Sequence, residues 1–350
     1  MEIQVSEAMA SEREENVRMV SESAAGILSG DRQRARALRF ANSRFDAKKW
    51  AEMAGMGWLM VRLPVEQDGL GMGLSELCAI ARAIGVELSP EPLPMAALAA
   101  PALPGSALAA LLACDAVYLP AFAAFGEAAP EVENGALSGR VEAVPMAGHA
   151  AGFLVQTAGG AALVRADGPG ITLDLQETHD GGHIGRLHFD RAPVESLGAN
   201  MVRLRDEAAL VLSAQLLGVA EAAFEITLTY LKDRRQFGAP IGSFQALQHR
   251  AVDLFLELSL ARAMVEAAVE CIDNGCNDAT VALQASLAKA SATRASRTIT
   301  QAAVQLHGGI GYTDEADIGL YLRKVMTLSG LLGSERFHRD RALALADVAK

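Results

Sequence analysis

The sequence of 350 residues is poor in aromatic residues, in cysteine and in positive charge. Aromatic residues make up 5% of the chain although hydrophobic residues make up 51%, so alanine, leucine and valine fill the cores, a composition that favours helices. The 42 acidic residues outnumber the 31 lysines and arginines and leave a formal net charge of −11, which argues against a nucleic-acid partner. The abundant apolar residues exclude general disorder.

The four cysteines show no zinc-ligand spacing and are too sparse for a disulfide framework. We therefore expect reduced thiols at Cys78, Cys114, Cys271 and Cys276. Met1–Val20 has no basic segment followed by an apolar one, so a signal peptide is not expected. The longest apolar tract, Leu93–Cys114, contains three prolines and cannot form one membrane-spanning helix. These features predict a cytoplasmic protein without a membrane span.

The pattern of apolar residues divides the chain into three parts, 1–114, 115–200 and 201–350. In the first part the apolar residues recur at helical spacing, as in Ala47–Trp58 and Leu74–Val86. The second part contains short runs of strand-like composition between glycine turns, which predicts a compact β sandwich or barrel. These runs are Leu137–Val144, Phe153–Thr157, Ala161–Arg165, Ile171–Leu175 and Ile184–Phe189.

The third part contains long helical stretches with short connections, a pattern that predicts an antiparallel helical bundle. The stretches are Leu204–Asp233, Ser243–Asn274, Thr280–His307, Asp314–Ser329 and Ser334–Ala349. The whole chain is therefore predicted to fold as a helical domain, then a β domain, then a helical bundle. This order of parts is unusual.

Two segments of the third part resemble a known family. Residues 230–245 read YLKDRRQFGAPIGSFQ and residues 305–312 read QLHGGIGY, and both resemble signature segments of the acyl-CoA dehydrogenases. Gly57–Gly71 resembles that family's N-terminal domain, so the similarity covers nearly the whole chain. The resemblance implies an N-terminal helical domain, a middle β-barrel or sandwich domain and a C-terminal antiparallel helical bundle. It also implies a FAD-dependent oxidoreductase that oxidises the Cα–Cβ bond of an acyl-CoA thioester.

The same resemblance implies that one subunit lends FAD contacts to its neighbour across an interface. The arginine at the Arg234 position holds the FAD pyrophosphate in the family, a role that suits a planar, permanently charged guanidinium. The implied cofactor-binding residues are Arg234, Phe237, Gln245, Gln305, Gly308 and Gly309. The structural alternative is that Arg234 complements a helix C-terminus, Phe237 fills a core and the glycine pair only ends a helix. His307 is expected to be packed or hydrogen-bonded rather than an acid or base.

The sequence departs from the family at the catalytic base. Family enzymes use a carboxylate to remove the α-proton of the thioester while a hydride leaves Cβ for the flavin. The two positions at which members carry this glutamate correspond to Leu332 and Ala208. Glu335 and Glu207 lie nearby and are weak candidates for a displaced base. A shift of one residue on a helix turns a side chain by about 100°, so Glu207 is expected to face away from the position of Ala208. Glu335 is expected at a helix N-terminus, where an acidic residue is favourable for structural reasons alone.

The half of the site that holds the flavin ring is also missing from the sequence. Members of the family carry a Thr-Glu-Pro-x-x-Gly-Ser-Asp-like loop and a Trp-Ile-Thr-like strand against the ring. Residues 119–137 contain no such loop, and Arg140–Val144 replaces the tryptophan-bearing strand. The catalytic residues of this chain therefore stay unassigned.

These retained and lost features predict the non-catalytic subunit of a hetero-oligomeric acyl-CoA dehydrogenase. A paralogous catalytic subunit would supply the glutamate, the ring contacts and most of the pocket for the acyl-CoA substrate, and the two chains would share FAD. Two-gene members of this kind are familiar for bulky substrates such as steroid or bile-acid side chains. The acidic balance of the chain also suits docking of an electron-transfer flavoprotein.

Other functions are open at this point. A self-sufficient homo-oligomeric acyl-CoA dehydrogenase would use Glu335 or Glu207 as its base. A chain without catalysis would bind CoA thioesters or serve as a scaffold. A different reaction on the same fold, such as hydroxylation or nitroalkane oxidation, would still require a flavin site, and is the least favoured alternative for that reason.

Two further patterns are interpreted as structural. Gly69, Gly71 and Gly73 are as glycine-rich as a phosphate-binding loop, but they do not follow a strand in a βαβ unit. His179 and His183 flank a turn without a third ligand nearby, which is a poor metal site. No metal is therefore predicted.

Overall fold

The computed structural model describes residues 2–41 and 44–348, and its elements follow the predicted order of helices, strands and helices. The N-terminal helices are α1 (Glu2–Leu28), α2 (Asp31–Leu38), α3 (Ala47–Gly55), α4 (Leu74–Glu87), α5 (Leu93–Ala99) and α6 (Gly105–Leu112). Asp46 caps α3 by accepting hydrogen bonds from the Lys48 and Lys49 amides. Trp50 and Met53 on this helix are buried, so the capped helix lies against the core.

In the part of the chain that the structure describes, eight middle strands form two four-stranded sheets. They are β1 (Tyr118–Ala121), β2 (Glu131–Glu133), β3 (Ala136–Pro145), β4 (Gly152–Thr157), β5 (Gly160–Arg165), β6 (Ile171–Glu177), β7 (His183–Pro193) and β8 (Glu195–Leu197). The sheet orders are β1-β4-β5-β8 and β2-β3-β7-β6, with β1 and β4 parallel and the other neighbours antiparallel. Phe153 and Leu187, one from each sheet, are buried in the same core, which confirms the predicted middle β domain.

The C-terminal part is a bundle of long helices. They are α7 (Met201–Asp233), α8 (Gln245–Asp273), α9 (Asp278–His307), α10 (Ile318–Gly330) and α11 (Glu335–Val348), with the short strands β9 (Arg235–Gln236) and β10 (Ala239–Pro240) between α7 and α8. Asn200 caps α7 by accepting a hydrogen bond from the Arg203 amide. Helix α7 is long and apolar enough to cross a membrane, but 78% of its most apolar window is buried inside the molecule, as in the core helix of a bundle.

Two glycines allow α4 to cross α7 at backbone distance. A Cβ atom at Gly85 would lie 2.1 Å from the carbonyl oxygen of Gln215, and one at Gly218 would lie 1.9 Å from the carbonyl oxygen of Arg82. Such contacts leave no room for any side chain, so both positions require glycine. The N-terminal helices are therefore packed directly on the bundle.

The glycine-rich segment before α4 binds a carboxylate that belongs to the chain itself. Gly73 has no side chain that could cap α4, and Asp273 at the end of α8 accepts hydrogen bonds from the amides of Leu74 at 2.7 Å and Ser75 at 3.0 Å. A Cβ atom on Gly73 would lie 2.6 Å from this carboxylate. The helix N-terminus thus holds an anion, as phosphate-binding helices do, but the anion is internal. The structural interpretation of this glycine pattern is in agreement with these contacts.

The expectation of four reduced thiols is wrong for one pair, because Cys271 and Cys276 form a disulfide. The end of α8 and the turn after it bring their Cα atoms to 5.5 Å, a separation that a disulfide spans. The small number of cysteines argued against a framework of several disulfides, but it did not exclude a single disulfide across a tight turn. Cys78 and Cys114 are free thiols. Within the described ranges, no cluster of three or more histidine, cysteine or acidic side chains could hold a metal ion.

Candidate functional site

We call residues 230–245 the first motif and residues 305–312 the second motif. The first motif begins in the last turn of α7 and continues as an exposed hairpin. Arg234 follows the last residue of α7 and has an extended backbone with φ −70° and ψ 124°. Phe237 and Gly238 join β9 to β10 and have φ angles of +53° and +80°, as in a type I′ turn. The left-handed region is costly for phenylalanine, and residues held there cluster at functional sites. Phe237 is 92% exposed, so its ring does not fill a core.

Tyr230 and His307 join the two motifs. The Tyr230 ring stacks on the His307 ring with the centroids 4.3 Å apart, and its hydroxyl donates a hydrogen bond to the His307 carbonyl oxygen at 3.1 Å. The His307 ring is buried, and its Nδ1 lies 2.8 Å from the carbonyl oxygen of Ala303. His307 is therefore packed and hydrogen-bonded, as predicted. This contact places the glycine pair after His307 beside the C-terminal end of α7, a connection that the sequence did not reveal.

The predicted FAD contacts are all exposed on the surface around these two motifs. They are Arg234, Phe237, Gln245, Gln305, Gly308 and Gly309. Among the described residues, none forms a hydrogen bond or ion pair with the Arg234 guanidinium. A Cβ atom at Gly308 or Gly309 would meet no heavy atom within 4 Å, so a ligand can approach the backbone there. An unpaired guanidinium on one motif and open glycine backbone on the other are groups that suit the phosphate-bearing tail of a dinucleotide such as FAD.

The interior between the β domain and the bundle contains two small cavities. One of about 30 Å³ is lined by Leu119, Val144, Leu212 and Leu332 among others. These residues come from the regions in which the sequence departs from the family, and Ala208 is buried one helical turn before Leu212. The other cavity, of about 80 Å³, shares four lining residues with the first: Met95, Pro145, Leu212 and Leu331. Ligand pockets usually measure about 300 to 1,000 Å³, so a flavin ring does not fit in either cavity.

A buried ion pair forms one wall of the larger cavity. The Lys324 Nζ atom lies 3.0 Å from Oδ2 of Asp180, and the Thr327 hydroxyl donates a hydrogen bond to Oδ1 at 3.1 Å. Burial alone would raise the pKa of Asp180, but Lys324 and hydrogen bonds from Thr178 and the Gly182 amide lower this pKa to about 2. Asp180 is therefore ionised and paired, unlike a proton-removing carboxylate, whose pKa lies near the working pH.

The two carboxylates that were candidates for a displaced base do not line either cavity. Glu207 accepts hydrogen bonds from Arg62 Nη1 at 2.7 Å and from Arg203 Nε at 3.1 Å, and it borders a separate open cleft. Glu335 at the start of α11 accepts a hydrogen bond from Arg297 Nη2 at 2.8 Å. Both side chains are held by arginines outside the small cavities, so their catalytic roles have no support from the geometry.

Helix α8 has an apolar face that the sequence analysis missed. Four large side chains on this face, spaced as one side of a helix, are each between 53% and 57% exposed: Val252, Phe255, Leu256 and Leu260. Leu254 and Leu258 are buried on the other side of the helix. Because α8 is apolar on both sides, its periodicity did not show which side is covered. A contiguous exposed apolar surface of this kind marks an interaction site.

Comparison with known families and structures identifies relatives for both helical parts. Residues 200–344 match the acyl-CoA dehydrogenase C-terminal domain, and residues 14–103 match the acyl-CoA dehydrogenase N-terminal domain. The solved steroid ACAD Tcur3481–Tcur3483 is similar, with a TM-score of 0.89 and 31% identity, over 96% of this chain and 99% of that chain. The ChsE4–ChsE5 complex from Mycobacterium tuberculosis has a TM-score of 0.86 and 25% identity, over 96% and 98%.

Two named acyl-CoA dehydrogenases match this chain over less than half of their own length. FadE34 from Mycobacterium tuberculosis, named an acyl-CoA dehydrogenase, is 30% identical over 85% of this chain and 42% of its own length. IpdE2 from Mycolicibacterium smegmatis, also named an acyl-CoA dehydrogenase, is 41% identical over 38% of this chain and 40% of its own length. The chain thus spans less than half the length of these two relatives.

Proposed function

Since this chain belongs to the acyl-CoA dehydrogenase family, a family of oxidoreductases, we propose that it is the non-catalytic subunit of a hetero-oligomeric acyl-CoA dehydrogenase. The observation that carries the proposal is a contrast between two regions. The residues predicted to hold a dinucleotide tail are exposed, whereas the cavities between the β domain and the bundle measure only about 30 and 80 Å³. Such a chain can complete a neighbour's site but cannot carry a whole one.

In the proposed complex, both chains contribute residues to one active site. When bound there, FAD would supply the chemistry for accepting a hydride from Cβ of the acyl-CoA. This chain contributes Arg234 to the pyrophosphate and the backbone of Gly308 and Gly309 to the adenosine half, with Gln245 and Gln305 as further polar contacts. The paralogous partner contributes the carboxylate base, the contacts to the ring and most of the acyl pocket.

The kind of substrate and the electron acceptor are parts of the same proposal. The similar solved structures are a steroid ACAD and a complex of two differently named subunits, ChsE4 and ChsE5. These two relatives support a bulky acyl-CoA of the steroid type as substrate and a paralogous chain as partner. The net charge of −11 suits an electron-transfer flavoprotein as the acceptor that reoxidises the flavin.

The test compares the visible spectrum of the protein purified alone with that of the protein co-expressed with its paralogue. We expect flavin absorbance only after co-expression, with one FAD for each pair of chains. Arg234→Ala in this chain should lower the FAD content of the complex by about tenfold, because a charge-assisted contact to phosphate is lost. Arg165→Ala serves as the matched control, since Arg165 is an exposed arginine far from both motifs in sequence.

Other outcomes would contradict this proposal in different ways. If the chain alone binds FAD and acyl-CoA bleaches it, and Glu335→Gln abolishes the bleaching, the chain is a self-sufficient dehydrogenase. If Glu207→Gln has that effect instead, the base lies on α7. If no flavin is bound in either preparation, the chain is a CoA-thioester-binding or scaffold protein.

A further inference from the structure

The disulfide between Cys271 and Cys276 lies at the junction between the bundle and the N-terminal helices. Cys271 is in the last turn of α8, and Cys276 lies just before α9. Both residues are half-buried, and Asn274 and Gly275 between them are exposed. A small reductant can therefore reach the bond, in contrast to a disulfide enclosed in a core.

The six residues that this disulfide encloses carry three contacts between separate elements. Asp273 caps α4 through the amides of Leu74 and Ser75, and the Ser75 hydroxyl also donates to its carboxylate. Arg13 on α1 donates a hydrogen bond to the Asn274 side chain at 3.1 Å. One short turn, which we call the clasp (residues 271–276), therefore connects α8 to both α1 and α4.

The third contact runs within the bundle. Arg203 near the start of α7 donates a hydrogen bond to the Cys276 carbonyl oxygen at 3.2 Å. Inside the clasp the backbone bonds are local: the Asn274, Gly275 and Cys276 amides donate to carbonyl oxygens within the last turn of α8. The last turn of a helix frays readily unless it is tied down. The disulfide supplies such a tie at the place where the Asp273 carboxylate must stay aligned with α4.

We propose that Cys271 and Cys276 are a reversible dithiol–disulfide couple that controls how firmly the N-terminal helices are fastened to the bundle. In the reduction, a thiolate of a small dithiol attacks one sulfur, and a mixed disulfide forms. The second thiol of the reductant then displaces the protein thiol. The protein disulfide gains two electrons and two protons to become two thiols, and the dithiol becomes its own disulfide.

Reduction should loosen the clasp without unfolding the bundle. A cross-link that closes a loop of six residues restricts the opened chain and so favours the closed form. Without it, the clasp opens more often, and each opening removes Asp273 from the amides of Leu74 and Ser75. The N-terminal end of α4 then has unsatisfied N–H groups that exchange with solvent.

The experiment measures amide hydrogen exchange at Leu74 and Ser75 in the full chain, before and after treatment with a dithiol reductant. Intact mass should first show the oxidised chain lighter by two hydrogens, about 2 Da. We expect these two amides to exchange about five- to tenfold faster after reduction. In the variant with Cys271→Ser and Cys276→Ser, exchange should already be fast and should not respond to the reductant.

A matched variant distinguishes this couple from other thiols. Cys114→Ser removes a half-buried free cysteine and should leave the response to reductant unchanged. The proposal fails if oxidised glutathione, a small-molecule disulfide, does not remove two hydrogens from the reduced chain. It also fails if exchange at Leu74 and Ser75 is equal in the two redox states. Neither result bears on the shared FAD site, so the two proposals are tested separately.

Discussion

At the scale of single residues, Lys289 on α9 is the most unusual group in the bundle. It is fully buried, and its ammonium group has no carboxylate partner among the described residues. It donates to the Thr293 hydroxyl at 3.3 Å and to the carbonyl oxygens of Ser329 and Gly333 at 3.4 Å. These bonds hold the turn that contains Leu332, the position where the family carries a base. In this chain Lys289 thus holds the turn in place through these hydrogen bonds.

Burial lowers the pKa of Lys289 to about 7 from its ordinary value of 10.5. Between pH 7 and 10.5 the unfolded chain therefore binds more protons than the folded chain, and the free energy of unfolding rises with pH. We predict that Lys289→Met reduces this rise, so that the wild type gains about 2 kcal/mol relative to the variant from pH 7 to pH 9. Chemical denaturation at the two pH values measures the difference. Lys48→Met, at an exposed lysine, should leave the pH dependence unchanged, and equal slopes for the wild type and Lys289→Met would refute the prediction.

At the scale of secondary-structure elements, α4 depends on a cap from a distant helix. Gly73 contributes no side chain, so Asp273 supplies the acceptor for two amides. We predict that Asp273→Ala lowers the free energy of unfolding by about 1 to 2 kcal/mol, the usual loss for an N-cap. Glu270→Ala on the same helix removes an exposed carboxylate and should cost less than about 0.5 kcal/mol. Equal denaturation midpoints for the two variants would show that the cap contributes nothing.

At the scale of the whole molecule, the apolar face of α8 begins at Val252, two helical turns after the first motif ends at Gln245. A partner that shares the FAD site would cover both. We predict that Leu256→Asp weakens the complex with the paralogue at least tenfold, because a carboxylate would be buried in an apolar contact. The isolated chain should keep its melting temperature, since Leu256 is already exposed.

Light scattering of the co-purified chains measures the loss of the complex. Met326→Asp is the matched control, because Met326 is 58% exposed but lies on α10. It should leave the complex intact. A complex that tolerates Leu256→Asp as well as Met326→Asp would exclude this face from the interface.

The sequence predicted most elements because their signals are local. Long helical stretches in the sequence predict helices α7 to α11, and runs of strand-like composition between glycine turns predict strands β3 to β7. Strand β1 was missed because Pro120 interrupts it, and an edge strand tolerates a proline that a central strand does not. The pairs Asp180–Lys324 and Gly85–Gln215 join residues more than 100 positions apart, and no local pattern reveals such contacts.

The candidate site was predictable in its motifs but not in its surroundings. Residues 230–245 and 305–312 led to the prediction of six FAD contacts, all of which are exposed, and the missing loop and glutamate led to the expectation of an incomplete site. The composition could not predict the size of the cavities. That size depends on how residues far apart in the chain, such as Leu212 on α7 and Leu332 before α11, pack around the cavity. The Cys271–Cys276 bond was mispredicted because the rarity of cysteine says nothing about two that meet across a turn.

The exposed phenylalanine of the hairpin has a consequence for how the protein must be produced. The Phe237 side chain is 92% exposed and lies just before α8, whose apolar face is also exposed. A chain without its proposed partner therefore exposes an apolar surface that favours self-association. Newly made copies in excess would associate with one another or be degraded. In the proposed complex, matched synthesis of the two polypeptides, for instance from one messenger RNA, would keep Phe237 and the apolar face of α8 covered.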